Sequence, residues 1–224
     1  MAFKIIQINK NIFAANDEVA KQVREQLMKQ KTYMINVMAS PGAGKTTLLL
    51  KTIEQLHSQY QIGVMEADIE ADVDAQKMSD AGVKSIQVHT GGECAMNANM
   101  TKQALEEFDT RQLDILFLEN VGNLVCPAEE DTGAMLNIAL LSVPEGDDKP
   151  LKYPLMFKVC DVIIITKTDT RDYFTFDDDA VVERIHHLNP QAKIFFLSAN
   201  SGEGMDQWID YLLKIIKEFK ENKS

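Results

Sequence analysis

The chain has 224 residues, with 45% apolar, 25% charged and 7% aromatic side chains, and its 34 acidic against 23 basic residues give a formal net charge of −11. This composition excludes intrinsic disorder, collagen and a small disulfide scaffold, and the length suffices to bury a substantial core. The acid excess speaks against a surface for nucleic acid or anionic lipid, which needs clustered Lys and Arg, but leaves room for a local site holding one nucleotide.

From the N-terminus, Met1 to Phe13 is broken by Lys4, Gln7, Asn9 and Lys10 and lacks the apolar stretch of a signal peptide. A helix is predicted from about Asp17 to Lys31. Short apolar runs then alternate with longer amphipathic segments, the pattern of βα units around a mostly parallel sheet. Strands are predicted at Met34–Met38, Ile62–Ala67, Ser85–Val88, Ile115–Glu119, Asn137–Ser142, Asp161–Thr166 and Lys193–Leu197, several apolar on both faces as internal parallel strands are. Val143–Pro154, with Pro144, Gly146, Pro150 and Pro154 beside three acids, reads as a long irregular connection. The last helix is placed at Met205–Glu221, where Trp208, Leu212, Ile215, Ile216 and Phe219 recur at helical spacing and Trp208 is a core anchor. No apolar run approaches the roughly 18 residues of a membrane span. With no repeat or linker, residues 1–224 read as one α/β domain of about seven strands.

The three cysteines, Cys94, Cys126 and Cys160, form an odd set that fits a reducing, cytoplasmic setting better than a disulfide framework. Cys160 precedes an apolar strand and is assigned to the core. His57, His186 and His187 fall on predicted helices as surface residues, and His89 is the imidazole nearest to Cys94 in sequence.

Directly after the first strand comes Ala39-Ser40-Pro41-Gly42-Ala43-Gly44-Lys45-Thr46-Thr47, a phosphate loop of the strand–GxxxxGK[ST]–helix type with Ala39 in place of its first glycine. Gly42 and Gly44 would let backbone N–H groups converge on phosphate oxygens, Lys45 would reach the β- and γ-phosphates, and Thr46 would give its hydroxyl to Mg²⁺. Asp68 and Glu119 close two strands at the carboxyl edge where open α/β sheets bind ligands, and either could hold Mg²⁺ or orient the attacking water. Glu66, Glu70, Asp72 and Asp74 around Asp68 are taken mostly as solvated charges.

Two later segments sit where a guanine pocket is expected: Thr166-Lys167-Thr168-Asp169 and Ser198-Ala199-Asn200. Asp169 would accept both the N1 and N2 protons of guanine, a donor pair adenine lacks, so GTP is preferred over ATP. Thr166 replaces the Asn of the usual NKxD motif, and its hydroxyl can make only some of the same bracing bonds.

With these residues in place the chain resembles the hydrogenase nickel-incorporation GTPases (HypB), SIMIBI-class P-loop proteins. The most particular match is Glu119-Asn120-Val121-Gly122-Asn123-Leu124-Val125-Cys126-Pro127, supported by Ala15–Glu18, Ser142–Pro154 and Ser201–Asp206. The resemblance implies GTP/GDP binding with Mg²⁺, slow GTP hydrolysis, a GTP-dependent homodimer, other metalloenzyme maturation factors as partners, and a Ni²⁺ or Zn²⁺ site at the dimer interface. Its ligands would be Cys94 and Cys126, with two copies of each meeting across a two-fold axis. The family's His beside the first Cys is Ala95 here, a further His of some members is Asn99, and a family Thr is Ala71. A second reading stays open at this point: a diverged metal-binding or scaffold protein with weak or no turnover, or one serving a different metalloenzyme.

Overall fold

Seven strands, β1 (Tyr33–Ala39), β2 (Ile62–Asp68), β3 (Lys84–His89), β4 (Ile115–Glu119), β5 (Leu136–Ser142), β6 (Val162–Thr166) and β7 (Lys193–Phe196), form one sheet in the computed structural model, which describes residues 9–68 and 83–221. Their order is β3-β2-β4-β1-β5-β6-β7, and every neighbouring pair is parallel. All seven predicted strands are present, with ends within one residue of expectation. Parallel pairing explains why their sequences read as continuous apolar runs: β4 and β6 are buried at every position.

The helices are α1 (Asn9–Gln30), α2 (Lys45–Leu56), α3 (Ala98–Glu107), α4 (Cys126–Glu129), α5 (Lys149–Lys152), α6 (Pro154–Val159), α7 (Asp178–Leu188) and α8 (Met205–Glu221). α8 has the predicted bounds, whereas α1 begins at Asn9 rather than near Asp17. Alternate residues of β1 divide the core. Ile35 and Val37 face α2 and α8, with Leu49, Ile53, Leu56, Trp208 and Leu212. Met34 faces α1 and α3, with Leu27 and Leu105, and Met38 joins Phe157 and Ile185 of α6 and α7.

The expected irregular connection at Val143–Pro154 is instead ordered. It holds a 3₁₀ turn at Val143–Glu145 and the short helices α5 and α6, and each of Pro144, Pro150 and Pro154 lies in the first or second position of one of these helical turns. The prolines that look like breakers act as starters, because a first-turn N–H has no acceptor within the helix to lose and the position takes the φ that proline supplies. Glu145 closes the turn by accepting from the backbone N–H and the hydroxyl of Ser142 at 2.9 and 2.7 Å.

Asn16, buried near the start of α1, donates to the Asp131 carbonyl at 2.8 Å and accepts from the Ala98 N–H at 3.0 Å. The N-terminal helix is thereby fixed to the first residue of α3 and to the chain just past α4, the segments that follow Cys94 and Cys126.

Trp208 is 1% exposed and its indole N–H donates to the Thr52 hydroxyl at 3.0 Å, joining α8 to α2. Truncating a large buried aromatic leaves a cavity costing about 3–5 kcal/mol. Trp208→Ala is therefore expected to lower unfolding free energy by about that amount in urea titration, and an effect under about 1 kcal/mol would contradict this packing.

Candidate nucleotide and cysteine site

The strand order reverses around β1: the chain goes from β1 outward to β2 and β3, returns to insert β4 between β2 and β1, and continues to β5 on the other side. The carboxyl ends at such a switch point form the crevice of an open α/β sheet. Here a cleft of about 540 Å³ is lined by Gly42, Lys45 and Thr46 of the phosphate loop, Glu66 and Glu119 of β2 and β4, and Gly122 and Lys167.

Ala39 stays within β1 outside the positive-φ region, so its methyl group is accommodated at the motif's first position. Gly42 and Gly44 have φ of +78° and +101°, with Gly44 capping the N-terminus of α2 in the left-handed conformation that L side chains resist. Pro41 and Thr47 also border the cleft, whereas Ser40 lines neither this cleft nor the smaller one described below.

Glu119 is 7% exposed, and the Thr46 hydroxyl donates to its Oε1 at 2.9 Å. A hydroxyl and a carboxylate side by side are the hard oxygen donors that suit Mg²⁺, so these two residues fit that ion. Glu66, one of the four acids around Asp68 taken mostly as solvated, is instead buried at 5% exposure, lies in register with Glu119 and lines the cleft. Its place inside a parallel strand, between two other strands, keeps it from solvent, and alternation along β2 could have shown that it shares a face with Val64 and Asp68. Asp68 ends β2 opposite His89, but its side chain and Ala71 lie outside the described residues.

At the other end of the phosphate loop, a small cleft of about 40 Å³ is lined by Ala43, Gly44, Thr47, Lys167 and Asp169 together with Ser198, Ala199 and Asn200. All the residues expected for base recognition therefore meet here. The buried Thr166 hydroxyl donates to the Ala43 carbonyl at 2.7 Å, and Lys167, at φ +60°, donates from Nζ to the Gly42 carbonyl at 2.7 Å. The hydroxyl thus makes a brace between base loop and phosphate loop. Thr168 donates to Glu203 at 3.0 Å, and the Ser198 N–H donates to the Glu203 carbonyl at 2.9 Å, so the two base loops are also tied together.

Sequence reasoning treated residues 120–123 only as part of a signature, whereas they carry much of the site. The Asn120 N–H donates to the Val37 carbonyl at 3.0 Å and the Asn123 N–H to the Ala39 carbonyl at 2.9 Å, so this loop runs along the start of the phosphate loop. Gly122 presses on Pro41 so closely that a Cβ there would lie 2.9 Å from the proline Cγ and 3.1 Å from its nitrogen. The Asn120 side chain accepts from the Met96 and Val121 N–H groups at 3.0 and 2.9 Å and donates to Asn36 at 3.1 Å. Asn36 in turn donates to Asn137 at 3.0 Å, which makes a row of amides across β4, β1 and β5.

Cys94 and Cys126 meet within one chain, joined as a disulfide with their Cα atoms 5.9 Å apart. This corrects the expectation of unlinked thiolates that pair only on dimerisation. The loop after β3 and the loop after β4 both emerge at the carboxyl edge and are tied by Asn120, which a separation of 32 residues in sequence conceals. Metal ligation requires thiolates, so the two sulfurs become ligands only when this bond is reduced. Ala95 is buried and brings no imidazole, His89 is exposed, and no group of three or more His, Cys, Asp or Glu suited to a metal occurs among the described residues. Burial, then the charges of Glu129, Glu93 and Asp17, push the Glu130 carboxyl above its ordinary value. The cysteine region is therefore rich in negative charge. Cys160 is fully buried as expected, with burial raising its thiol pKa.

The model for the CobW/HypB/UreG nucleotide-binding domain matches residues 33–196. The chain belongs to this family. It is 43% identical to the hydrogenase/urease maturation factor HypB of Helicobacter hepaticus over 93% of this chain and 87% of that one, and 39% identical to the hydrogenase maturation factor HypB of Azotobacter vinelandii over 93% and 69%. Among solved structures, HypB from Helicobacter pylori in complex with nickel superposes with a TM-score of 0.85 at 38% identity, covering 91% of this chain and 96% of that one. HypB from Archaeoglobus fulgidus gives 0.85 at 35% identity, covering 91% and 99%. The signal recognition particle receptor FtsY of Elizabethkingia anophelis, at 15% identity and a TM-score of 0.53, shares the fold. The matched residues include the phosphate loop, the signature segment and the loop at 166–169, and they end just before Ser198.

Because the proline ring at Pro41 cannot yield as a flexible side chain would, Gly122→Ala must push the signature loop off the phosphate loop. Overpacking of this kind costs about 1–3 kcal/mol. Fluorescence titration with a labelled guanine nucleotide is expected to show binding weakened about tenfold or more, and unchanged affinity would mean that the loop adjusts without disturbing the site.

Proposed function

We propose that this protein binds and hydrolyses GTP and uses its nucleotide state to control homodimerisation and the binding and delivery of nickel or zinc during maturation of a nickel metalloenzyme such as a hydrogenase. The observation that carries the reading is the continuity of one segment: Glu119 meets Thr46 in the phosphate cleft, and seven residues later Cys126 meets Cys94. A single stretch of chain thus has a nucleotide end and a sulfur end. The HypB relatives named above, one of them solved with nickel, support the same assignment.

In this reading the Gly42–Lys45 backbone and the Lys45 ammonium cradle the phosphates, and the N-terminus of α2 adds its positive dipole end. Thr46 and Glu119 would hold Mg²⁺, which supplies charge neutralisation of the phosphate oxygens when bound. Glu119 and the Asp68 carboxylate at the end of β2 are the candidates for orienting the attacking water, and Lys45 stabilises charge as the γ-phosphate departs. Asp169 selects guanine, with the Lys167 stem along the base and the Ser198-Ala199-Asn200 backbone near O6. Cys94 and Cys126, once reduced, would offer two soft thiolates from each protomer, and the surrounding carboxylates would favour approach of a divalent cation. The setting is cytoplasmic, where the disulfide would be kept reduced, and the partners are other maturation factors.

The diverged-scaffold reading draws support from buried Ala95, which leaves the cysteines without the family's imidazole. Turnover of GTP well above a Lys45→Ala control excludes it.

Guanine selection by Asp169 gives a direct test. Asp169→Asn turns an acceptor toward the guanine N2 donor into a donor, and a site built to pair polar groups rejects a mismatch strongly. GTP affinity is expected to fall at least about 100-fold, while xanthosine triphosphate, which carries an acceptor at that position, binds the variant better than GTP does. Equal loss of both nucleotides, or wild-type binding of ATP as tight as GTP, would defeat the assignment.

A further inference from the structure

We propose that Asn123 is the positioning residue that carries the state of the phosphate loop to Cys126, while Asn120 holds the Cys94 side still. This rests on the reading above that the cleft takes GTP and that the reduced cysteines take metal.

The segment after β4 is fastened to the phosphate loop at three points. Thr46 donates to Glu119, Pro41 packs on Gly122, and the Asn123 N–H donates to the Ala39 carbonyl. Any rearrangement of the loop between diphosphate and triphosphate is therefore applied to the Glu119 side chain and to residues 122–123, whereas Asn120 between them is held by Val37 and Asn36 in the sheet. At the far end of this strap the Asn123 side chain takes over. Its Oδ1 accepts from the Val125 N–H at 2.7 Å and the Cys126 N–H at 3.3 Å, and its Nδ2 donates to Cys126 Sγ at 3.5 Å. One residue thus hangs from the phosphate loop by its backbone and holds the cysteine's nitrogen and sulfur by its side chain.

The other cysteine has a different anchor. Asn120 Oδ1 accepts from Met96, two residues past Cys94, and Asn120 is itself fixed to Asn36 and through it to Asn137, in the interior of the sheet. Asn120 and Asn36 are each 1% exposed, and breaking such a row would strand buried amides. Cys94 is therefore referenced to the rigid sheet and Cys126 to the nucleotide loop. The relative placement of the two sulfurs, on which a shared metal depends, becomes a function of what the loop holds. Asn123 is not among the residues that line the larger cleft, and its effect passes through Cys126.

The test uses the reduced full chain as wild type, Asn123→Ala and Asn123→Asp. Affinity for Ni²⁺ and for Zn²⁺ is measured by chelator competition with GDP and Mg²⁺, and again with a non-hydrolysable GTP analogue and Mg²⁺. Couplings between sites are typically about 5–150-fold, so wild type is expected to show a ratio of at least about fivefold between the two nucleotide states. Asn123→Ala should bring that ratio to within about twofold while nucleotide affinity stays within about threefold, because the backbone bond to Ala39 survives. Asn123→Asp keeps the acceptor for both N–H groups and should keep most of the ratio. Should the alanine variant fail to fold, Asn123→Leu, of similar size without polar atoms, is measured in its place. A ratio that persists in the alanine or leucine variant, or is lost in the aspartate variant, overturns the role of Asn123 and leaves the functional reading intact. A wild-type ratio of one overturns both this inference and nucleotide gating of metal, though GTP binding and Asp169 selectivity would still stand.

Discussion

The insertion of β4 beside β1 is the constraint on which the rest of the site depends. Parallel pairing sets Val37 opposite Glu119, so both strands end at the same level and both chains leave the sheet into the same crevice. The chain after β4 has nowhere to lie except along the phosphate loop, and its N–H groups at Asn120 and Asn123 satisfy the carbonyls of Val37 and Ala39 that β4 itself no longer reaches. Glycine at position 122 follows from this crowding, because the approach to Pro41 leaves no room for a Cβ. The Glu119 carboxylate at Thr46 and the Cys126 sulfur at Cys94 are both consequences of where this one strand was placed.

Much of this was legible in the residues. Inner strands buried on both faces, such as β4 and β6, announce themselves as apolar runs, the partly exposed edge strands β3 and β7 are read from their place in the alternation of short apolar runs and amphipathic segments, and the Gly-Lys-Thr-Thr sequence between a strand and a helix marks the larger cleft. The residues that line the small cleft were legible as a group because they are read by type and position near strand ends. What escaped was of two kinds. Proline in the connection after β5 has opposite meanings at a helix interior and at a first turn, and only the caps distinguish them. Glu66, Asn120 and Asn123 escaped because their roles are set by partners on other strands: a glutamate among five acids looks solvated until the register puts it beside Glu119 in the interior.

The cysteines illustrate the same limit. Counting them separated one core residue, Cys160, from the pair Cys94 and Cys126, but no spacing rule says that these two meet, since they follow β3 and β4, which flank β2, and their loops converge over the carboxyl end of that strand. Once they are adjacent, the chemistry is that of two sulfurs able to bond to each other or, reduced, to share a cation. Carboxylates at Asp17, Glu93, Glu129 and Glu130 then give the region a field that attracts cations, a local use of a net charge that from composition alone only excluded partners.

The substitution at Thr166 shows how such a site tolerates a changed motif. The residue at this position has to join the base loop to the phosphate loop, and the carbonyls of Gly42 and Ala43 are the groups that need a donor there. Thr166 reaches Ala43 and the neighbouring Lys167 reaches Gly42, each at 2.7 Å, so both acceptors are met without an amide. A threonine hydroxyl has a single proton to give, which means the brace is complete only because the lysine turns back, and the left-handed backbone at Lys167 is what allows it to do so. Selectivity for the base is a separate matter. In the proposed reading it falls to Asp169, which is exposed at the small cleft, so the exchange of Asn for Thr alters how the two loops are held together while leaving the group that would read guanine in place.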